Sequence, residues 1–294
     1  MVLRSTFYDY SMIQMAAEAE EVCYHWHGVS CVPPGPTSDP LWASIILGFV
    51  IMRVLVISDI HANLAAFETV LEDAKGEWDY VWCLGDVVGY GPDPNECCDL
   101  LQTLPHLCLA GNHDWAALGR LDIRTFNADA RRAVTWTREA LTPENLAYLG
   151  ALPTTFVLGD YTLAHGSPRE PVWEYILDPL IAALNFPHFE TPYCLVGHTH
   201  NPIVFKLKDE RGDTEELRPR YGEPQQLNGQ RLIINPGSVG QPRDSNKDAS
   251  YGILHVEEAI FEYRRVAYPV EVTQEKMRKL DMPERLITRL EHGW

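Results

Sequence analysis

From Arg53 onward, short β-branched apolar runs alternate with segments of helical periodicity, and this alternation restricts the chain to an α/β fold. The run RVLVIS (53–58) reads as a buried strand, and Leu64, Phe67, Val70 and Leu71 mark one face of a helix over 63–75. A second strand is expected at 80–85, a helix opened by a proline at 94–104, and a third strand at 106–111. Helices are expected at 127–140 and 143–150, then strands at 154–158, 161–165, 193–197, 202–208, 231–235, 251–256 and 260–266. The charged stretch 208–230 reads as an exposed hairpin or excursion, and 273–293 as one or two amphipathic helices broken near Pro283.

The first fifty-one residues have a different character, with little periodicity, the breaker cluster CVPPGPTSDP and the apolar run from Leu41 to Met52. That run is short for a bilayer span and has no basic segment before it. Met52 directly precedes the first strand, so 1–51 is expected to be an extension that is disordered or lies upstream of the natural start. The competing reading makes Leu41–Val50 an added helix. The expected organisation is therefore an extension over 1–51, a domain over 52–268 and a helical tail over 269–294 packed on it.

Charge narrows the partners. Forty-one acidic against 24 basic side chains leave a net charge of −17, which repels long nucleic acid and anionic membranes. A small anionic substrate then needs local positive charge, most simply a bound metal. The seven cysteines are an odd number, which points to reduced thiols and a cytoplasmic setting. Cys23, His25, His27 and Cys31 lack the paired spacing of a zinc finger.

The chemistry-bearing residues recur where strands stop, which is where α/β proteins build sites. Asp59 and His61 follow the first strand, Asp86 the second, and Asn112, His113 and Asp114 the third. His165 ends a later run, and His198 and His200 follow another. In extended backbone, residues two apart face the same side, so Asp59 with His61 and His198 with His200 are each expected to approach one ion. Each residue alone has an ordinary role as a cap or turn, but five histidines, two aspartates and an asparagine at strand ends make a ligand set. Its nitrogen and oxygen donors suit two divalent ions such as Mn, Fe or Zn.

In order, DIH, GD, GNHD, AHG and GHTH resemble the five signature blocks of the calcineurin-like metallophosphoesterase superfamily, over Arg53 to about Tyr268. GYGPDPNE and NPGSVGQPRD are similar to its compact bacterial branch of phosphodiesterases and diadenosine tetraphosphatase-like proteins. The resemblance implies a four-layer α-β-β-α sandwich of two mixed sheets with a dinuclear metal site at strand-end loops. It implies that Asp59, His61 and His200 hold one metal, that Asn112, His165 and His198 hold the other, and that Asp86 bridges them. A hydroxide activated by the two metals would attack phosphorus, with His113 as general acid. Asp114 would orient that imidazole or cap the following helix.

The chain departs from the superfamily's protein Ser/Thr phosphatases, whose second block reads GDxVDRG; here Gly89 and Tyr90 stand in place of the Asp-Arg pair. The missing arginine argues against large phosphoprotein substrates, and Arg243 is a candidate replacement. Asn235, in the Asn235–Ser238 turn, is a second candidate for substrate binding, and that stretch reads equally as a plain turn. Asn63 reads as a ligand to substrate or as a helix cap. The expected function is hydrolysis of a small phosphodiester or nucleotide-like ester, with monoester against diester open. The alternative is a catalytically inactive metal-binding or scaffold protein on the same fold.

Overall fold

The computed structural model describes residues 52–209 and 212–294; the expectations for 1–51, including the Cys23, His25, His27 and Cys31 set, lie outside them. The first half runs β1 (Arg53–Ile57), α1 (Leu64–Asp73), β2 (Tyr80–Cys83), α2 (Pro94–Gln102), β3 (His106–Cys108), α3 (Asn112–Ala117), α4 (Ala128–Ala140) and α5 (Pro143–Ala151). Then follow β4 (Thr155–Leu158), β5 (Tyr161–Ala164), α6 (Pro179–Asn185), β6 (Tyr193–Leu195), β7 (Ile203–Leu207), β8 (Thr214–Leu217) and β9 (Gln225–Gln226). The chain closes with β10 (Leu232–Asn235), β11 (Ala249–His255), β12 (Ile260–Val266), α7 (Val270–Lys279) and α8 (Glu284–His292).

The strands form two mixed sheets, in the orders β3-β2-β1-β11-β12-β9 and β4-β5-β6-β10-β7-β8. Alternation along β1 explains how they stack. Val54 and Val56 point into the core shared with the second sheet, where they meet Leu163, Leu195 and Ile234. Leu55 and Ile57 point the other way, onto Phe67 and Val70 of α1 and Cys97 and Leu101 of α2. Each such side chain contributes about 1.5–3 kcal/mol on burial. The outer face of the second sheet, through Cys194, Phe205 and Ile233, is covered by Ala182 of α6 and by Phe186 and Phe189 just after it. The four-layer arrangement follows from three apolar interfaces, one between the sheets and one on each outer face.

The tail adds to the first helical layer, since Met277 of α7 and Leu286, Ile287 and Leu290 of α8 join the core that holds α1. Pro283 stands at the N-cap of α8 and separates the two helices. Asn63 caps α1 and also ties the tail down: its Oδ1 accepts from Ala66 N at 3.3 Å and Thr273 Oγ1 at 2.7 Å, and its Nδ2 donates to Tyr268 Oη at 3.2 Å.

The charged excursion after β7 does form a hairpin with β8, but β9 leaves that sheet and pairs with β12 of the other. Nothing in the polar pair Gln225–Gln226 signals a strand, because its place is set by the partner edge rather than by apolar alternation. The helices α3 and α6 were likewise not expected; with six and seven residues they are too short for a periodic pattern. No helix among the described residues is long and apolar enough to cross a membrane.

Candidate metal centre

The loops that follow β1, β2, β3, β5, β6 and β10 meet at one end of the sandwich. They are zipped together by main-chain bonds beyond the strands, Asp59 N donating to Gly85 O at 3.0 Å and His61 N to Asp86 O at 2.9 Å. Here the expectation of extended backbone fails. Asp59, His61, Asp86, His198 and His200 all have φ between 50° and 64°, in the left-handed region. The pairs at 59 and 61 and at 198 and 200 are brought together by tight left-handed turns, not by strand alternation. Such conformations cost of order 1–3 kcal/mol each at non-glycine residues and are retained where a site requires them.

These turns gather three sets of donors, Asp59 with His61 and His200, Asp86 with His165 and His198, and His61 with Asp86 and His113, the atoms of each set lying within 4.8 Å of one another. Asp59 Oδ1 is 3.2 Å from His200 Nε2 and 3.7 Å from His61 Nε2. Asp86 Oδ2 stands between the two groups, 3.7 Å from His61 Nε2 and 3.3 Å from His165 Nε2. Asn112 Oδ1 lies 3.1 Å from His165 Nε2, so it joins the second group. All seven expected ligands therefore converge, and each is at most 2 % exposed.

Four imidazoles share one device. His61 Nδ1 meets Val88 O at 3.2 Å, His165 Nδ1 meets Leu84 O at 2.9 Å, His200 Nδ1 meets Gln241 O at 2.5 Å and His198 Nε2 meets Trp173 O at 3.1 Å. A carbonyl only accepts, so in each ring that nitrogen carries a proton; in His61, His198 and His200, which burial keeps neutral, the other presents a lone pair, while His165 Nε2 faces the oxygens of Asn112 and Asp86. The lone-pair nitrogens of His61 and His200 then face each other at 3.0 Å. Asp59 Oδ1 and Asp86 Oδ2, both buried, have no hydrogen-bond partner. Unpartnered carboxylate oxygens beside opposed lone pairs are costly without a cation, and the hard and borderline donors fit divalent metals.

Electrostatics agree. Burial alone would raise the Asp59 carboxyl, but His200 and His165 outweigh it and hold it at about 2. Burial pushes His61 and His198 well below the usual imidazole value. Burial works the same way on His165, but there Asp86 and Asp59 prevail and raise it to about 9. The two carboxylates thus favour positive charge on His165 itself.

His113 lies in the first turn of α3, its main-chain N donating to Asp86 Oδ1 at 2.8 Å. Its Nδ1 is buried without a partner, and its ring packs 4.2 Å from that of Tyr90 and 5.2 Å from that of Phe126. Burial, against the pull of Asp86, holds it down to about 4. Gly89 explains the close fit: at φ +95°, a Cβ there would lie 2.6 Å from His113 Nδ1. Asp114 does not reach that ring. Its carboxylate accepts from Gly111 N at 2.8 Å, Asp86 N at 2.9 Å and Val88 N at 3.1 Å, capping α3 and pinning the loop that carries Asp86.

Of the two candidates for substrate contact, Asn235 is 1 % exposed and committed internally: it donates to Gly197 O at 2.7 Å and Thr199 Oγ1 at 2.9 Å, and accepts from Gly237 N at 2.8 Å. Arg243 reaches the rim, its guanidinium 5.8 Å from the Tyr90 ring centroid and bonded to Gln241 Oε1 at 3.0 Å. Sequence reasoning missed the aromatic rim. Tyr175 stacks on His198 with ring centroids 3.7 Å apart, and Trp173 stands edge-on to Phe126 at 5.4 Å. It also missed Glu174, which is held by Ser167, Arg169 and Asn185 and steadies the loop that presents the Trp173 carbonyl. The aromatic density of 173–175 was the available signal.

Comparison with known proteins places this geometry. The model of the calcineurin-like phosphoesterase superfamily domain matches residues 52–259. An uncharacterized protein of Methanocaldococcus jannaschii is 37% identical over 244 residues, 81% of this chain and 96% of that one. The crystal structure of a metallophosphoesterase from Sphaerobacter thermophilus superposes with a TM-score of 0.77 at 48% identity, covering 83% of this chain and 100% of the other. A hypothetical protein from Pyrococcus horikoshii shares the fold, with a TM-score of 0.67 at 20% identity over 82% and 98% of the two chains. Strand-end blocks, convergent donors and the matching domain lead to one conclusion: the chain belongs to the calcineurin-like phosphoesterase superfamily, whose members use divalent metals.

Proposed function

We propose that the protein is a two-metal phosphohydrolase acting on a small phosphodiester or nucleotide-like phosphate ester. The observation that carries this reading is the set of four imidazoles locked by backbone carbonyls, whose free nitrogens converge on two unpartnered carboxylate oxygens. Asp59, His61 and His200 would hold one ion, and Asn112, His165 and His198 the other, with Asp86 shared. Divalent ions there supply Lewis acidity to a phosphoryl group and lower the pKa of water.

The chain's own residues do the rest. His113, at the edge of the donor cluster beside His61 and Asp86, hands a proton to the leaving oxygen or hydrogen-bonds it as charge develops. Its low pKa keeps the ring neutral until an anionic ester arrives to raise it. Arg243 contacts a phosphoryl oxygen, while Asp114 and Asn235 act as positioning residues for the loops that bear Asp86 and His198.

The test is metal analysis of the purified chain together with Mn-stimulated hydrolysis of bis(4-nitrophenyl) phosphate. Asp86→Asn is expected to lose both metal and turnover. A metal-loaded protein inert on a broad panel of mono- and diesters would overturn the reading in favour of a binding protein on this fold.

A further inference from the structure

Three rings beside the candidate centre keep part of their surface in water. Trp173 and Tyr175 are 41 % and 42 % exposed, and Phe126 is half-buried. They come from the two halves of the sandwich: Phe126 follows α3 and packs on the core between the first sheet and its helices, whereas Trp173 and Tyr175 lie between β5 of the second sheet and α6. The Phe126 and Trp173 rings meet at 5.4 Å with their planes 84° apart. In an edge-to-face contact one ring covers at most one face of the other, so broad faces stay open.

The same rings touch both flanks of the donor cluster. The Phe126 ring is 5.2 Å from that of His113, the Trp173 ring is 6.3 Å from that of His198, and Tyr175 stacks on His198 at 3.7 Å. An arc of aromatic surface therefore runs from His113 to His198. The loop that bears Trp173 and Tyr175 is tied down. His198 Nε2 bonds the Trp173 carbonyl at 3.1 Å, Ser167 Oγ and Asn185 Nδ2 donate to Glu174 Oε2 at 2.7 and 2.9 Å, and Gly166 packs so closely that a Cβ there would lie 3.0 Å from Trp173 N. Rings held in place before a ligand arrives lose little freedom when it binds.

The net charge of −17 opposes an anionic ester at long range, so affinity beyond what the metals and Arg243 supply must come from uncharged contacts. A flat ring gains both apolar burial and the stacked or edge contacts that ring quadrupoles favour, and a saturated group gains only the first. We propose that Trp173, with Phe126 and Tyr175, forms a stacking platform beside the metal centre, so that the preferred phosphate esters carry a planar aromatic ring, of a nucleobase or an aryl group. This deepens the phosphoesterase reading and rests on it for the word ester. The platform itself is read by binding alone.

The experiment is calorimetric titration of the Mn-loaded full chain with phosphonates, which contain no scissile ester. Phenylphosphonate against cyclohexylphosphonate compares a flat ring with a puckered one of the same charge, and 9-(2-phosphonomethoxyethyl)adenine against ethoxymethylphosphonate adds a nucleobase. The aromatic member is expected to bind about tenfold more tightly in at least one pair, the scale of one stacked ring. An advantage confined to the adenine pair assigns the platform to nucleotides, and one seen in both pairs assigns it to any flat ring. Trp173→Leu keeps apolar bulk without the ring and should erase most of the advantage, Trp173→Phe should restore part of it, and Phe126→Leu should lessen it from the other side. Equal affinity within both pairs, or an advantage that both leucine variants leave intact, overturns the proposal. Preserved discrimination in a chain that hydrolyses no ester overturns the enzymatic reading instead and leaves the platform standing.

Discussion

The Nε2 atoms of His61 and His200 lie 3.0 Å apart while the Nδ1 of each ring is committed to a backbone carbonyl, that of Val88 and of Gln241 respectively. Two lone pairs so opposed favour whatever cation enters between them and Asp59. Chelation should therefore lower the melting temperature, and Mn at a hundredfold excess over its Kd should add about 2.7 kcal/mol, or several degrees. In His200→Ala the gap between chelated and loaded protein should shrink. Differential scanning calorimetry reads this directly; an unchanged gap rules His200 out as a ligand.

The role of His113 is read from leaving groups. If its imidazole protonates the departing oxygen, His113→Ala should slow an alkyl ester about 10²–10⁴-fold, the usual range of general acid catalysis. The same variant should slow a 4-nitrophenyl ester far less, because nitrophenolate leaves without help. Parallel kcat measurements on methyl 4-nitrophenyl and dialkyl phosphates, with metal content checked, decide it. Equal losses on both esters would assign His113 to binding.

Gly89 has φ of +95° with His113 packed against it, which shows why a side chain does not fit here. Gly89→Ala should cost about 1–3 kcal/mol in stability and displace the His113 ring. Urea unfolding and kcat measured together should both fall. A variant with parental stability would show that the loop relaxes freely.

Glu174 predicts a pH effect. Burial raises its carboxyl, but Arg169, Asn185 and Ser167 outweigh that, so its folded pKa lies below the ordinary value of 4.5. The sign follows: the ionised form is favoured in the folded state, the stabilisation is present above the unfolded pKa, and it is lost as pH falls through the folded one. Because the group is partly solvated, the effect should stay below about 1 kcal/mol. Melting curves of the parent and Glu174→Gln should differ at pH 7 and converge toward pH 3. A constant difference across that range would trace the loss to packing.

What the chain announces by itself is the alternation that builds two sheets and the polar blocks at their ends. Strand periodicity and buried apolar runs are local properties, so β1, β2, β5 and β10 lie where their residues suggest, and the seven candidate ligands are legible as the residues that stop them. Their convergence was legible too, but not its means. Left-handed backbone at Asp59, His61, His198 and His200 depends on main-chain bonds to distant loops, and no spacing rule encodes it. The carbonyls of Leu84, Val88, Trp173 and Gln241 that set each imidazole's proton are equally silent, because a carbonyl looks the same in every residue. Asp114 and Asn235 each allowed two readings in the sequence, and the donors and acceptors around them favour the cap and the turn. Local pattern determined which residues could take part; long-range packing decided how they face one another.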